Sequence, residues 1–111
     1  MLSRSKGDLA EEKSCEYLTS RGFKIVEQNF YAKKLGEIDI IAKKNDVYFF
    51  IEVKSAEDYE IAVNNITQAK LSKIKRSVDY YLQKKKLNPD YQIDAIIVIN
   101  DDITHLENIT L

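Results

Sequence analysis

With 111 residues, the chain has room for one small domain with a modest core. Hydrophobic residues make up 44% and charged residues 32%, which argues against a disordered chain, and a net charge of −1 excludes a polycation. Any contact with nucleic acid must therefore come from a local patch. The only cysteine, Cys15, excludes an internal disulfide and a thiolate metal site, and the only histidine, His105, excludes a multi-histidine zinc site.

The N-terminal residues Met1–Lys6 lack the apolar stretch of a signal peptide, and no apolar run approaches the length of a membrane span. With the cysteine usage, this points to the cytoplasm. Spacing predicts a helix over 7–21, with Ala10, Ser14, Tyr17 and Leu18 on one stripe and Gly22 as its stop. Glu11 borders that stripe, where a carboxylate is ordinarily a solvated flank. Cys15 reads as a small packed residue. Phe23–Phe30 reads as a strand, and Tyr31–Leu35 as a basic loop. Its Lys33 and Lys34 could touch a phosphate backbone or simply face water.

Two strand-like runs follow, Gly36–Ala42 and Tyr48–Ser55, rich in isoleucine, valine, tyrosine and phenylalanine. Asn45 and Asp46 between them are turn residues that tolerate left-handed backbone. A symmetric hairpin centred there would place Asp39 opposite Glu52 and Glu37 opposite Lys54, all four on one face. The second run is apolar on both faces, as expected of a central strand. Facing carboxylates repel at Cβ separations of about 5 Å and lose hydration near such a strand. A divalent cation would compensate, and hard oxygen donors suit Mg²⁺ or Mn²⁺. Carboxylates, a cation and Lys54 together are equipment for cutting a phosphodiester. The plainer alternative is a cross-strand salt bridge with nothing bound.

Ser55–Glu60 reads as a polar loop. From about residue 62 to 86 the pattern is helical, with Ile66, Ala69, Ile74, Val78, Tyr81 and Leu82 on its apolar face. Lys70 lies on that side, either turned outward or meeting the hairpin carboxylates. Gln68 shares its first turns. Lys73, Lys75 and Arg76 make the helix basic, which fits a solvated face or a phosphate-backbone contact. Asn88-Pro89-Asp90 is a stop. Tyr91–Asn100 reads as a buried strand, and His105–Leu111 as a last, edge strand on which a lone histidine is ordinarily structural. The order helix, three strands, helix, two strands implies an α/β fold, a mixed sheet with helices packed on it.

Glu37-Ile38-Asp39, a hydrophobic strand, then Glu52-Val53-Lys54 resembles the core of the PD-(D/E)XK nuclease superfamily, the restriction-endonuclease-like fold. The closer resemblance is to the YraN-like family of small bacterial proteins, over nearly the whole chain, 1–111, as a single domain. It implies a divalent-metal-dependent endonuclease acting on DNA, branched DNA included. Asp39, Glu52 and the Val53 carbonyl would hold Mg²⁺ or Mn²⁺. Lys54 would orient water or steady the phosphate. Glu11 would complete the metal shell or act as a base, as the first-helix glutamate does in the similar Holliday-junction resolvases. Glu37, Gln68 and Lys70 would support the site, and Lys33, Lys34, Lys73, Lys75 and Arg76 would contact nucleic acid. A nuclease this small could meet both strands as a homodimer. Relatives often carry an arginine shortly after Glu-x-Lys, where this chain has Ser55-Ala56 and then an acidic loop. The rival reading is a non-catalytic nucleic-acid- or protein-binding module on the same fold.

Overall fold

A computed structural model of the chain describes residues 5–110. Met1–Arg4, from the N-terminal stretch read above, and Leu111, the end of the last predicted strand, lie outside the described residues. The elements are α1 (Lys6–Ser20), β1 (Lys24–Tyr31), a 3-10 turn (Lys33–Leu35), β2 (Glu37–Lys44), β3 (Val47–Ser55), α2 (Tyr59–Asn64), α3 (Gln68–Lys85), β4 (Asp90–Ile99) and β5 (Asp102–Leu106). The five strands form one mixed sheet in the order β1-β2-β3-β4-β5. Only β3 and β4 run parallel, because α2 and α3 carry the chain back between them. This is the expected α/β sheet flanked by helices, compatible with a restriction-endonuclease-like fold.

The hairpin forms as its residues demand. Asn45 and Asp46 both take positive φ, 52° and 63°, the two-residue turn whose twist matches its strands. Lys44 therefore pairs with Val47, and the register runs unbroken to Ile40 with Ile51.

β3 is central, and its two faces are both buried. Phe49 and Ile51 join Ile40, Ala42, Ile96 and Val98 under Ala10 and Leu18 of α1. Phe50 joins Ile41 and Ile93 under Ile74, Val78 and Tyr81 of α3. The two helices thus cover opposite faces of the sheet. Ser5 caps α1 through a reciprocal capping box with Asp8, and Ser14, fully buried in the stripe, returns its hydroxyl to the Ala10 carbonyl at 2.8 Å.

Two predicted elements are corrected. The helix expected from residue 62 to 86 is two helices. Asp58 caps α2 by accepting from the Glu60 and Ile61 amides, and Thr67 caps α3 by accepting from Lys70 N–H. The restart resets the helical phase, so Ala69 is exposed and Ile66 half-buried, while Leu71 is buried. The last strand is also earlier than expected. β5 ends at Leu106, and Ile109 instead donates its N–H to the Ile93 carbonyl at 2.9 Å.

Candidate metal and phosphate cleft

Past Ile40 and Ile51 the hairpin opens. In a hairpin of this turn type every second pair exchanges both backbone bonds, so the next would be Ile38 with Val53. Instead, Ile38 stays with β1 opposite Phe30, and Asp39 Oδ2 accepts the Val53 N–H at 2.8 Å. Face alternation breaks at the same point: Ile40 joins the cluster beneath α1, whereas Ile38, two residues away, joins the cluster beneath α3. An unbroken strand would put both on one face. The opening therefore lets groups from both sides of the sheet converge.

The expected four-residue face is changed by this splay. Glu37 does not sit opposite Lys54; it pairs with Tyr31 of β1. Lys54 Nζ instead lies 3.0 Å from Glu52 Oε1, both side chains partly buried. On the α3 side, Glu37, Glu52 and Lys54 line a concavity of about 210 Å³ with Lys70, Lys73 and Ser77. Gly36 also lines it, with φ of 139°, where a side chain would be strained.

From the α1 side comes Glu11, half-buried at the edge of the helix stripe. Asn29 of β1 bridges it to the strands. Its side-chain amide lies between Glu11 and Glu37, and with the nitrogen turned toward the two carboxylates, the orientation hydrogen bonding requires, it donates to Glu11 Oε1 at 2.9 Å and to Glu37 Oε1 at 2.8 Å. Asn29 itself sits at φ 52°, a left-handed residue inside a strand.

Electrostatics single out Asp39. Burial pushes its carboxyl up to about 7, and the neighbouring Glu52 pushes the same way. The Val53 N–H pulls down, and Glu11 and Glu37 add smaller upward pushes. Burial also raises Glu11, followed by Glu37, Asp8 and Glu52. Four carboxylates thus act on one another with Lys54 as the ammonium in ion-pair contact. Oδ2 of Asp39 is held by Val53 and Oε1 of Glu52 by Lys54, while Oδ1 and Oε2 take no hydrogen bond among the described residues. Strand geometry puts the Val53 carbonyl on the same edge as its N–H, toward the opening. This is a hard-oxygen donor set short of positive charge, and it fits Mg²⁺ or Mn²⁺.

The remaining candidates are dispersed. Gln68 opens α3 and is exposed. Lys75 and Arg76 are exposed on α3 and do not line the cleft; Arg76 points roughly half a turn away from buried Ile74. Lys33 and Lys34 lie in the 3-10 turn, with Lys33 Nζ 5.9 Å from the Tyr80 ring.

A second group lay outside the sequence reading. Donor atoms of Asp94, His105 and Glu107 lie within 4.8 Å of one another, so these residues could hold a metal ion. Asp94 is fully buried and already accepts from Gln92 Nε2 (3.0 Å) and Asn108 N (3.1 Å), and its Oδ2 lies 2.7 Å from His105 Nε2. His105 Nδ1 lies 3.3 Å from the Tyr17 hydroxyl, linking the sheet to α1. The group reads first as a tie between β4, β5 and the following tail. Its signal in the sequence was a charged residue, Asp94, inside the most apolar strand.

Fold and cleft together define a mixed α/β domain with an acidic opening between two splayed strands. The chain belongs to the family described as Uncharacterised protein family UPF0102, which it matches over residues 10–98. It is 64% identical over 110 residues to a UPF0102 protein of Aliarcobacter butzleri, covering 99% of this chain and all of that one. A UPF0102 protein of Sulfurimonas denitrificans is 54% identical, and one of Wolinella succinogenes 47%, each with the same coverage of both chains.

Proposed function

We propose that the chain is a divalent-metal-dependent nuclease of the PD-(D/E)XK superfamily that hydrolyses DNA phosphodiesters, branched DNA included. The observation that supports this reading is the meeting of Asp39, Glu52 and Lys54 where β2 leaves β3, with lysines of α3 on the facing wall. Asp39, Glu52 and the Val53 carbonyl would hold Mg²⁺ or Mn²⁺. The bound cation supplies Lewis-acid polarisation of the phosphate and a more acidic water.

The chain's own residues do the rest. Lys54, fixed by Glu52, steadies the phosphate or orients the attacking water. Lys70 and Lys73 offer charge to the flanking phosphates, and Gln68 opens the same helix two residues before Lys70. Glu11, whose carboxyl holds its proton more tightly than usual, would complete the metal shell or take the proton from water. Lys33, Lys34, Lys75 and Arg76 are a more distant, sequence-independent contact surface.

Calorimetric titration with Mn²⁺ and Mg²⁺ tests this, comparing wild type with the Asp39→Ala, Glu52→Ala double variant. Binding lost in the double variant, with cleavage of linear or branched DNA lost alongside, is the expected result. Binding unchanged in the variant, or none in either protein with DNA present, would transfer the function to a non-catalytic binding module.

A further inference from the structure

Asn29 carries the next step, which rests on the reading above. Its side-chain amide sits between carboxylates from two elements, Glu11 of α1 and Glu37 of β2, and in the orientation that satisfies both, its nitrogen lies 2.9 and 2.8 Å from them. A primary amide has two N–H donors, so it can satisfy both without adding charge. The backbone is arranged for this. Gln28 pairs with Ile40 and Phe30 with Ile38, which leaves Asn29 at the level of Asp39, and its φ of 52° departs from the strand. Gln28 and Asn29 are consecutive exposed residues, so the regular in-and-out pattern of β1 is interrupted there. Asparagine is one of the few residues that accept that backbone at small cost.

Without a bridge, two carboxylates from separate elements would move apart into water. We propose that Asn29 is a positioning residue that clamps Glu11 to Glu37 and thereby places Glu11 in the cation's coordination shell with Asp39 and Glu52.

The test separates the clamp from the backbone. Asn29→Gly keeps the left-handed conformation accessible and removes the amide, so the fold should hold, as checked by circular dichroism and thermal unfolding. The probe is Mn²⁺ itself, followed by calorimetry and by paramagnetic broadening of the carboxyl carbon signals. In the wild type, Mn²⁺ should broaden Asp39, Glu52 and Glu11. In Asn29→Gly, broadening should persist at Asp39 and Glu52 and fade at Glu11, with affinity weakened about 10- to 100-fold, the usual effect of losing a ligand's orienting partner. Asn29→Asp, which keeps the shape and loses the donors, should behave like Asn29→Gly. Glu11 broadened equally in all three proteins, or in none while Asp39 and Glu52 respond, would overturn the clamp alone. No broadening of Asp39 and Glu52 in the wild type would overturn the metal site and the clamp together.

Discussion

Asp39 is the residue on which the proposed chemistry rests, and its acidity can be tested directly. Its carboxyl is pushed up to about 7 from 3.8. In the metal-free protein the folded state therefore keeps a proton that the unfolded chain has released. Between about pH 4 and 7 the folded state binds more protons, so its stability falls as pH rises and levels off above 7. The loss attributable to Asp39 is about 4 kcal/mol, and Asp39→Asn should abolish that slope in urea unfolding measured across pH. On the proposed reading a cation would have to displace the same proton. Mn²⁺ affinity should thus fall about tenfold per pH unit below about 7 and be flat above it, as read by calorimetry. Asp39, Glu52 and Lys54 were legible in the sequence because charge sat at short spacing on apolar strands. Asn29 was not, since its meaning depends on α1 and β2 arriving on either side of it.

At the scale of elements, most of the fold was readable from period and turn chemistry. The hairpin register followed from Asn45-Asp46 alone. Asn45 accepts φ 52° more cheaply than other residues, so Asn45→Val should cost about 1–2 kcal/mol by chemical denaturation. The break between α2 and α3 was missed because apolar spacing nearly continues across it; Asp58 and Thr67 were capping signals outweighed by that periodicity. The splay of β2 from β3 was not legible, because nothing local distinguishes Ile38 from Ile40. Asp94 ties the far side of the sheet. Asp94→Ala would leave Gln92, Asn108 N–H and His105 without their buried acceptor, and should destabilise by about 3 kcal/mol in the same assay. Its effect on Mn²⁺ affinity at the cleft should be small.

Over the whole molecule, the two concavities beside the sheet differ in charge. On the α1 side, Asp8, Glu11, Glu12 and Glu16 line a groove of about 610 Å³ against Gln28 and Asn29 of β1. On the α3 side, Lys70 and Lys73 face the cleft. On the proposed reading a phosphate backbone would be repelled by the first and met by the lysines of the second, a contrast that a net charge of −1 conceals. Lys70→Ala with Lys73→Ala should weaken DNA binding alike for all sequences and reduce the slope of log affinity against log salt by about 2, measured by fluorescence anisotropy. No helix among the described residues is long and apolar enough to cross a membrane.

The Val53 N–H has a further use. It is bonded to a carboxylate at a place where the neighbouring strand would otherwise supply a carbonyl. That single amide is a spectroscopic gauge built into the backbone. Its proton resonance should move with the charge on Asp39, shifting as the acid titrates and again as a cation arrives. The occupancy of the cleft could then be followed in the intact protein, with no label and no turnover.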